Sequence, residues 1–222
     1  MKNLWRVSLA AWMTSAWLLT GCTRQPPADE SRINESAGLS KATGKLRGVV
    51  MGLPTPKPDF TLTALDGTSF DLRRDTEGFL TLLFFGYTHC PDVCPVHMAN
   101  IGKVLKGLPS GVTSKIKVVF VTTDPERDTV ERLREWLGGF HRDFIGLTGT
   151  LEEIVRAQRA AGVLPAVRDS VDASDPSTYY VSHAAQVTAY TADNLAHVIY
   201  PFGIRQPDWA NDLPILVNGW PE

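Results

Sequence analysis

Two cysteines four residues apart are the residues of this sequence best suited to chemistry. Cys90 and Cys94 lie in the stretch 86–95 (GYTHCPDVCP), between an apolar run and a segment with apolar residues at helical spacing. The start of a helix carries free backbone N–H groups and partial positive charge, which favour a thiolate over a thiol. Side chains at positions i and i+4 also share one helix face. The pair could therefore close a disulfide or point at one metal ion.

The segments around this motif predict a layered α/β domain. Continuous apolar runs at 79–85 and 116–122 are typical of buried central strands, and a shorter strand is expected at 144–147. Each run is followed by residues at helical spacing. Because strands and helices alternate, we expect parallel strands joined by helices.

The second and third of these helices have predicted N-terminal signals. Residues 128–131 and 150–153 both have the form of a capping box, and we assign Asp128 to capping alone. In the third helix Leu151, Ile154 and Val155 are expected to face the core, whereas Gln158 interrupts the apolar stripe.

Antiparallel strand pairs are expected on both sides of this unit. Residues 58–72 alternate apolar and polar side chains around an Asp-Gly turn, and residues 186–200 predict a second hairpin. The polar stretch 168–178 predicts an exposed excursion. A closing helix is expected at 209–216, although it contains a proline.

The N-terminal residues predict export and attachment to a membrane. Lys2 and Arg6 precede an apolar stretch of about 13 residues, which is shorter than the roughly 20 needed to span a bilayer. The stretch ends at 19–22 (LTGC), which looks like a bacterial lipobox, so we expect lipid attachment at Cys22. An ordinary signal peptide or an uncleaved anchor is the alternative, and each option exports the domain to a space where disulfides form. Three segments are predicted: a signal peptide at 1–21, a flexible tether at 22–45 and a folded domain at 46–222.

The composition is that of a globular protein with ample material for a core. The chain has 222 residues, of which 43% are hydrophobic and 21% charged, and its net charge is −2. No basic block is present, so we expect no nucleic-acid partner. If Cys22 carries lipid, the other two cysteines remain as a pair.

Four stretches, in order along the chain, give a family resemblance. The stretch 86–95 resembles the signature of the Sco/SenC family of copper chaperones. Residues 58–67, 123–129 (TDPERDT) and 180–183 (YVSH) resemble the opening hairpin, the Asp-Pro-Glu-Arg-Asp-Thr segment and the late histidine of that family. The resemblance covers about residues 46–218.

The resemblance implies a thioredoxin-like fold with a β-hairpin insertion, here at about 165–182. Family members bind one copper ion, Cu(I) or Cu(II), through two cysteines and a histidine. The implied ligands are therefore Cys90, Cys94 and His183, with one copper per chain. The family often has Asp before the histidine, where this chain has Ser182.

The resemblance also implies a role in assembling the dinuclear copper site of cytochrome c oxidase. The expected partners are the oxidase subunit that carries this site and other periplasmic copper or thiol carriers. The expected location is the bacterial cell envelope, where a lipid anchor holds the domain on the periplasmic or exterior side. We expect a metallochaperone rather than an enzyme.

A thiol–disulfide reductase is the alternative, with Cys90 and Cys94 as a redox-active pair whose oxidation would abolish copper binding. Thioredoxin-type enzymes have two residues between their cysteines, and this chain has three. A structural disulfide is disfavoured because so short a loop gains little stability from closure. A peroxiredoxin-type peroxidase is also disfavoured, because the residues three before the cysteines are Tyr87 and Pro91 rather than Thr.

The remaining polar candidates receive structural roles. His89 is expected to shape the cysteine loop, and His97 and His141 are expected to be solvated on or near helices. His197 falls in the terminal hairpin. Asp124 ends a central strand, where it could either hydrogen-bond near the cysteine loop or cap a turn.

Overall fold

A computed structural model describes residues 39–41, 46–170 and 178–220 of the chain. Cys22, the predicted signal peptide and most of the predicted tether lie outside these residues. Within them, none of the helices is long and apolar enough to cross a membrane.

Three parallel strands form the centre of the fold, as the apolar runs predict. They are β5 (Leu80–Gly86), β6 (Ile116–Thr122) and β7 (Ile145–Thr148), and they pair in that order. All seven residues of β5 are buried. A strand covered on both faces needs this continuous apolar sequence.

Antiparallel strands extend this centre to a nine-stranded sheet. The additional strands are β1 (Leu39–Lys41), β2 (Val49–Pro56), β3 (Thr61–Ala64), β4 (Ser69–Asp71), β10 (Val187–Tyr190) and β11 (Leu195–Tyr200). The order across the sheet is β1-β2-β11-β10-β5-β6-β7-β3-β4. Both predicted hairpins are present, as the pairs β3–β4 and β10–β11. Strand β1 falls in the predicted tether, so this part of the tether is paired with β2 and is not free.

Helices cover both faces of the sheet. They are α1 (Leu72–Asp75), α2 (Val93–Gly107), α3 (Ser110–Thr113), α4 (Val130–Phe140), α5 (Leu151–Ala160) and α6 (Gln206–Leu216). Alternate residues of β5 point to opposite faces. Leu82 and Phe84 pack in a core cluster with α2, α4 and α6, whereas Leu83 and Phe85 pack in a second cluster with α1 and α5.

Two predicted helix starts differ in their outcome. The capping box of α5 is present, because Thr150 and Glu153 exchange hydrogen bonds. The cap of α4 was predicted one residue too early: Thr129 is the N-cap, and its side chain accepts from the backbone N–H of Arg132. Asp128 is therefore not a capping residue.

The inward face of α5 was predicted correctly for Ile154, which is fully buried, and incorrectly for Leu151 and Gln158. Leu151 lies at the first position of the helix and is 55% exposed. Gln158 is fully buried, and its Oε1 accepts a hydrogen bond from the backbone N–H of Ala166. The apolar pattern could not predict a polar residue in the core. Gln158 is buried because its side chain bonds to the loop that follows α5.

A separate two-stranded sheet lies where the hairpin insertion is expected. Strands β8 (Val167–Ser170) and β9 (Tyr179–Ser182) pair antiparallel, with Val167 opposite Ser182. Residues 171–177, between the two strands, lie outside the described ranges. Strand β9 ends immediately before His183, so this hairpin positions the predicted histidine ligand.

Candidate metal centre

The cysteine loop connects the end of β5 to the start of α2. Since α2 begins at Val93, Cys94 lies in its first turn and Cys90 lies in the preceding loop. The expectation that both cysteines share a helix face is therefore wrong in detail, yet the sulfurs still lie together. The backbone N–H of Cys94 points at Sγ of Cys90, at 3.5 Å. Neither cysteine forms a disulfide; Cys94 is fully buried and Cys90 is partly exposed.

The cysteine loop allows little space at the end of β5. A Cβ atom added to Gly86 would lie 2.7 Å from Sγ of Cys94 and 2.9 Å from the ring of Phe84. Glycine at this position lets the buried sulfur lie directly against the backbone of the central strand.

His183 reaches the cysteines from the opposite side of the site. Its Nε2 lies 3.4 Å from Sγ of Cys94, and its Nδ1 lies 3.0 Å from the carbonyl oxygen of Ala184. A carbonyl oxygen can only accept, so Nδ1 carries the proton and Nε2 presents a lone pair to the sulfur. Ligand atoms of Cys90, Cys94 and His183 lie within 4.8 Å of one another.

Contacts on both sides of His183 fix its backbone. Before it, the Tyr87 hydroxyl accepts a hydrogen bond from the backbone N–H of Val181, at 3.3 Å. After it, Nε2 of His97 donates to the carbonyl oxygen of Ala185, at 2.9 Å. The imidazole of His183 also packs edge-on against the ring of Tyr87, with centroids 5.6 Å apart.

His97 was predicted to be solvated, and this prediction is wrong. The residue is 1% exposed, and its ring packs 5.2 Å from that of Phe84. Burial lowers the pKa of its imidazole. Position 97 falls on the same buried stripe of α2 as Cys94 and Ile101, so the helical spacing already contained the signal.

Asp128 fixes the cysteine loop and does not cap a helix. Its carboxylate accepts hydrogen bonds from the backbone N–H of Thr88 (3.0 Å), the hydroxyl of Thr88 (2.6 Å) and the hydroxyl of Thr122 (2.7 Å). Sequence reasoning missed this role because the partners of Asp128 include a residue 40 positions earlier in the chain.

Asp124 holds the hairpin that carries His183. Its carboxylate accepts from the hydroxyl of Tyr179 (2.7 Å) and from Nε of Arg127. The Arg127 guanidinium lies 3.5 Å from the centroid of the Tyr179 ring and donates to the Tyr179 carbonyl oxygen. Asp124 was expected either to form a hydrogen bond near the cysteine loop or to cap a turn. Its carboxylate does bond beside the site, but to Tyr179 of the hairpin and not to the cysteine loop.

A second cluster of possible ligands is less suited to a metal. His89, Asp124 and Asp128 also have ligand atoms within 4.8 Å of one another. Both carboxylates already accept several hydrogen bonds, and the Arg127 cation adjoins one of them. Nδ1 of His89 lies 3.2 Å from the Thr88 hydroxyl, which agrees with a role in shaping the loop.

The two cysteines differ strongly in acidity. A hydrogen bond from the Cys94 thiol lowers the pKa of Cys90 to about 3. Burial raises the pKa of Cys94, and the neighbouring Cys90 adds to this effect. The pair therefore holds one proton at neutral pH. The partly exposed sulfur is a thiolate, which is the form that binds metals and attacks disulfides.

A family model described as SCO1/SenC matches residues 53–217, which is most of the chain. The chain belongs to the SCO1/SenC family. The protein SCO2, mitochondrial, of Saccharomyces cerevisiae is 33% identical over 137 residues, which amount to 62% of this chain and 44% of the yeast protein. The shared part is thus less than half of that relative.

Solved Sco structures share the fold over nearly their whole length. Apo Sco1 from Thermus thermophilus has a TM-score of 0.69 and 29% identity, covering 79% of this chain and 99% of that one. ScoI from Bradyrhizobium japonicum, solved with copper bound, has a TM-score of 0.63 and 28% identity, covering 73% and 99%. The predicted thioredoxin-like fold is confirmed.

This SCO1/SenC chain departs from the expected family pattern at Ser182. The residue is exposed on β9, and its hydroxyl donates to the carboxylate of Asp169 on the paired strand β8. A carboxylate is thus retained beside the residue that precedes His183, although it comes from the neighbouring strand.

The other two histidines have partners of their own. His141 stacks on Phe144, with ring centroids 5.5 Å apart. It is partly buried, so its predicted solvation is only partly correct. His197 is 6% exposed, and its Nε2 lies 2.8 Å from the carboxylate of Asp193.

Proposed function

We propose that this protein binds one copper ion through Cys90, Cys94 and His183 and delivers it to the dinuclear copper site of a cytochrome c oxidase subunit. The observation that carries the proposal is the convergence of two free sulfurs and one imidazole nitrogen within 4.8 Å. Membership of the SCO1/SenC family and the copper-bound relative support it.

The chemistry of these donors suits copper in both oxidation states. Thiolates are soft ligands that favour Cu(I), and imidazole suits Cu(II). The Ala184 carbonyl oxygen holds Nδ1 of His183, which leaves Nε2 facing the sulfurs, and Cys90 is already a thiolate; binding of copper would displace the proton of Cys94.

A copper titration of the reduced protein tests the proposal. We expect one copper per chain in the wild type, and loss of high-affinity binding in Cys90→Ser, Cys94→Ser and His183→Ala. The matched control is His89→Ala, because His89 lies beside Cys90 in the second cluster and should be dispensable for binding. An unchanged Cu(II) spectrum in His183→Ala would overturn the three-ligand site. Loss of copper in His89→Ala alone would place the metal in the other cluster.

A thiol–disulfide reductase remains the second candidate, and the acidity of the cysteines favours it. Cys90 is an accessible thiolate and Cys94 is a buried thiol, as in a nucleophile paired with a resolving cysteine. His183→Ala separates the two functions. Reduction of an oxidised acceptor should survive this substitution if the protein is a reductase, whereas copper delivery should not.

We further propose that a lipid on Cys22 anchors the protein to a bacterial envelope membrane, with the chain from residue 22 to the start of β1 at Leu39 linking it to the copper-binding domain. The apolar stretch and the LTGC sequence at 19–22 support this arrangement. Metabolic labelling with a fatty acid should mark the wild type and not Cys22→Ser. A Cys22→Ser protein that is still labelled and still found in the membrane fraction would contradict the anchor.

A further inference from the structure

An apolar groove opens directly beside His183. It has a volume of about 440 Å³ and lies between the loop after α5 and the segment after β9. Its lining includes Leu164, Pro165 and Val167 from one stretch of the chain and His183 and Ala184 from another. None of the described side chains lining the groove belongs to Asp, Glu, Lys or Arg.

The groove exposes more apolar surface than isolated side chains require. Leu164 is 84% exposed and Val167 is 59% exposed. Val167 is fixed in position by pairing with Ser182 across the hairpin. Burial of two such side chains by a partner is a favourable contribution to binding, because each removes apolar area from water.

The position of the groove limits what can occupy it. Cys94 is fully buried, so an incoming ligand must reach the metal centre past Cys90 or His183. The partly exposed residues Cys90 and His183 form the rim of the metal centre, and His183 also lines the groove. A segment that brings a ligand to this rim can therefore continue into the groove. With no charged side chain in its walls, the groove favours an uncharged apolar chain over an acidic or basic one.

We propose that this groove binds an extended apolar segment adjoining the paired cysteines of the copper acceptor. The inference rests on the proposed function and names the surface that aligns the acceptor. During transfer the copper–sulfur bonds to this chain break as bonds to the acceptor's cysteines form. Copper keeps its oxidation state; one of the two thiol protons of the acceptor passes to Cys94 and the other passes to water.

The test measures copper transfer from the loaded full-length protein to the reduced, metal-free copper domain of an oxidase subunit. Leu164→Glu should raise the acceptor concentration for half-maximal transfer at least about tenfold, and the milder Leu164→Ser should raise it less. The matched control is Leu53→Glu, since Leu53 is 80% exposed but lies on β2. Copper affinity and the copper spectrum should be unchanged in all three variants.

The outcomes separate this inference from the proposed function. Normal transfer by Leu164→Glu overturns the groove and leaves the chaperone role intact. If the wild type transfers no copper, binding of the acceptor to the copper-free protein is measured. Binding that is weakened by Leu164→Glu then supports the groove while the chaperone role fails, and no binding overturns both. Dimers that dissociate in Leu164→Glu, with transfer unchanged, identify a second copy of this chain as the occupant and overturn the proposal.

Discussion

Replacement of His97 tests whether a residue that is not a copper ligand positions one. In His97→Phe the aromatic packing against Phe84 is kept, while the hydrogen bond from Nε2 to the Ala185 carbonyl oxygen is lost. Ala185 is two residues after His183, so the backbone that carries the imidazole loses its contact with α2. The substitution therefore separates ring packing from hydrogen bonding.

The magnitude follows from the contact removed. A single hydrogen bond of this kind stabilises a folded protein by about 1 kcal/mol, which corresponds to about 2–4 °C in the melting temperature of a domain of this size. If the same free energy stabilises the copper-binding conformation of residues 183–186, the apparent dissociation constant of copper from His97→Phe should be about fivefold higher than from the wild type. The Cu(II) spectrum should broaden because the imidazole adopts more than one orientation.

Two further variants make this prediction specific. His97→Gln retains a donor that can reach the carbonyl oxygen, and it should restore most of the affinity. His141→Phe is the matched control, because His141 also stacks on a phenylalanine but belongs to a different part of the surface. Copper affinities and spectra of His97→Phe that match the wild type within error would refute the positioning role, whatever the change in melting temperature.

Three other predictions follow from the geometry and acidity of the described residues. Gly86→Ala should weaken copper binding at least about tenfold in titrations, because the added Cβ would lie 2.7 Å from Sγ of Cys94. Gly107→Ala is the control and should bind copper normally, because a Cβ at that position would have no neighbouring atom within 4 Å. Equal copper affinities of the two variants would refute the steric argument. In the reduced copper-free protein, iodoacetamide should alkylate Cys90 even near pH 5, because its pKa is about 3, while Cys94 stays unmodified; a rate midpoint near pH 8.5 for Cys90, found by peptide mapping, would contradict this. Burial lowers the pKa of Lys57 to about 8 from its usual 10.5, so between these pH values the unfolded chain holds a proton that the folded chain has lost. The free energy of unfolding, measured by denaturant titration, should therefore rise between pH 8 and pH 10.5 more steeply in the wild type than in Lys57→Met. The same dependence on pH in both proteins would contradict this prediction.

The central strands were predictable because their signal is local. Residues 116–122 were expected as a strand and form β6 over that same range, and β5 differs from its prediction by one residue at each end. A strand buried on both faces has a continuous apolar sequence, and few other elements of this length do. The sequence therefore sufficed for the part of the fold that supports the cysteine loop.

The contacts that hold the site were less predictable, because their partners are distant in sequence. Asp128 has the residue type and position of a helix cap, yet its carboxylate binds Thr88, which lies 40 residues earlier. The position of His97 on α2 indicated the core, but the prediction followed its residue type, which suggested solvent. The structure shows that the position was the correct signal. His183 could not be selected from the five histidines by any local pattern, and only the family resemblance singled it out.

The exposure of the three candidate ligands determines the order in which an acceptor can reach them. Cys94 is fully buried beneath the loop and against Gly86, whereas Cys90 and His183 are partly exposed at the rim. If copper binds as proposed, an acceptor would first reach Cys90 or His183, and Cys94 would be the ligand least accessible to exchange. Because Asp128 fixes the loop that carries Cys90, and Asp124 and His97 fix the segments around His183, both exposed ligands keep their positions while the acceptor approaches. In the proposed copper-bound state, such a site would favour exchange with a partner whose own ligands reach Cys90 and His183.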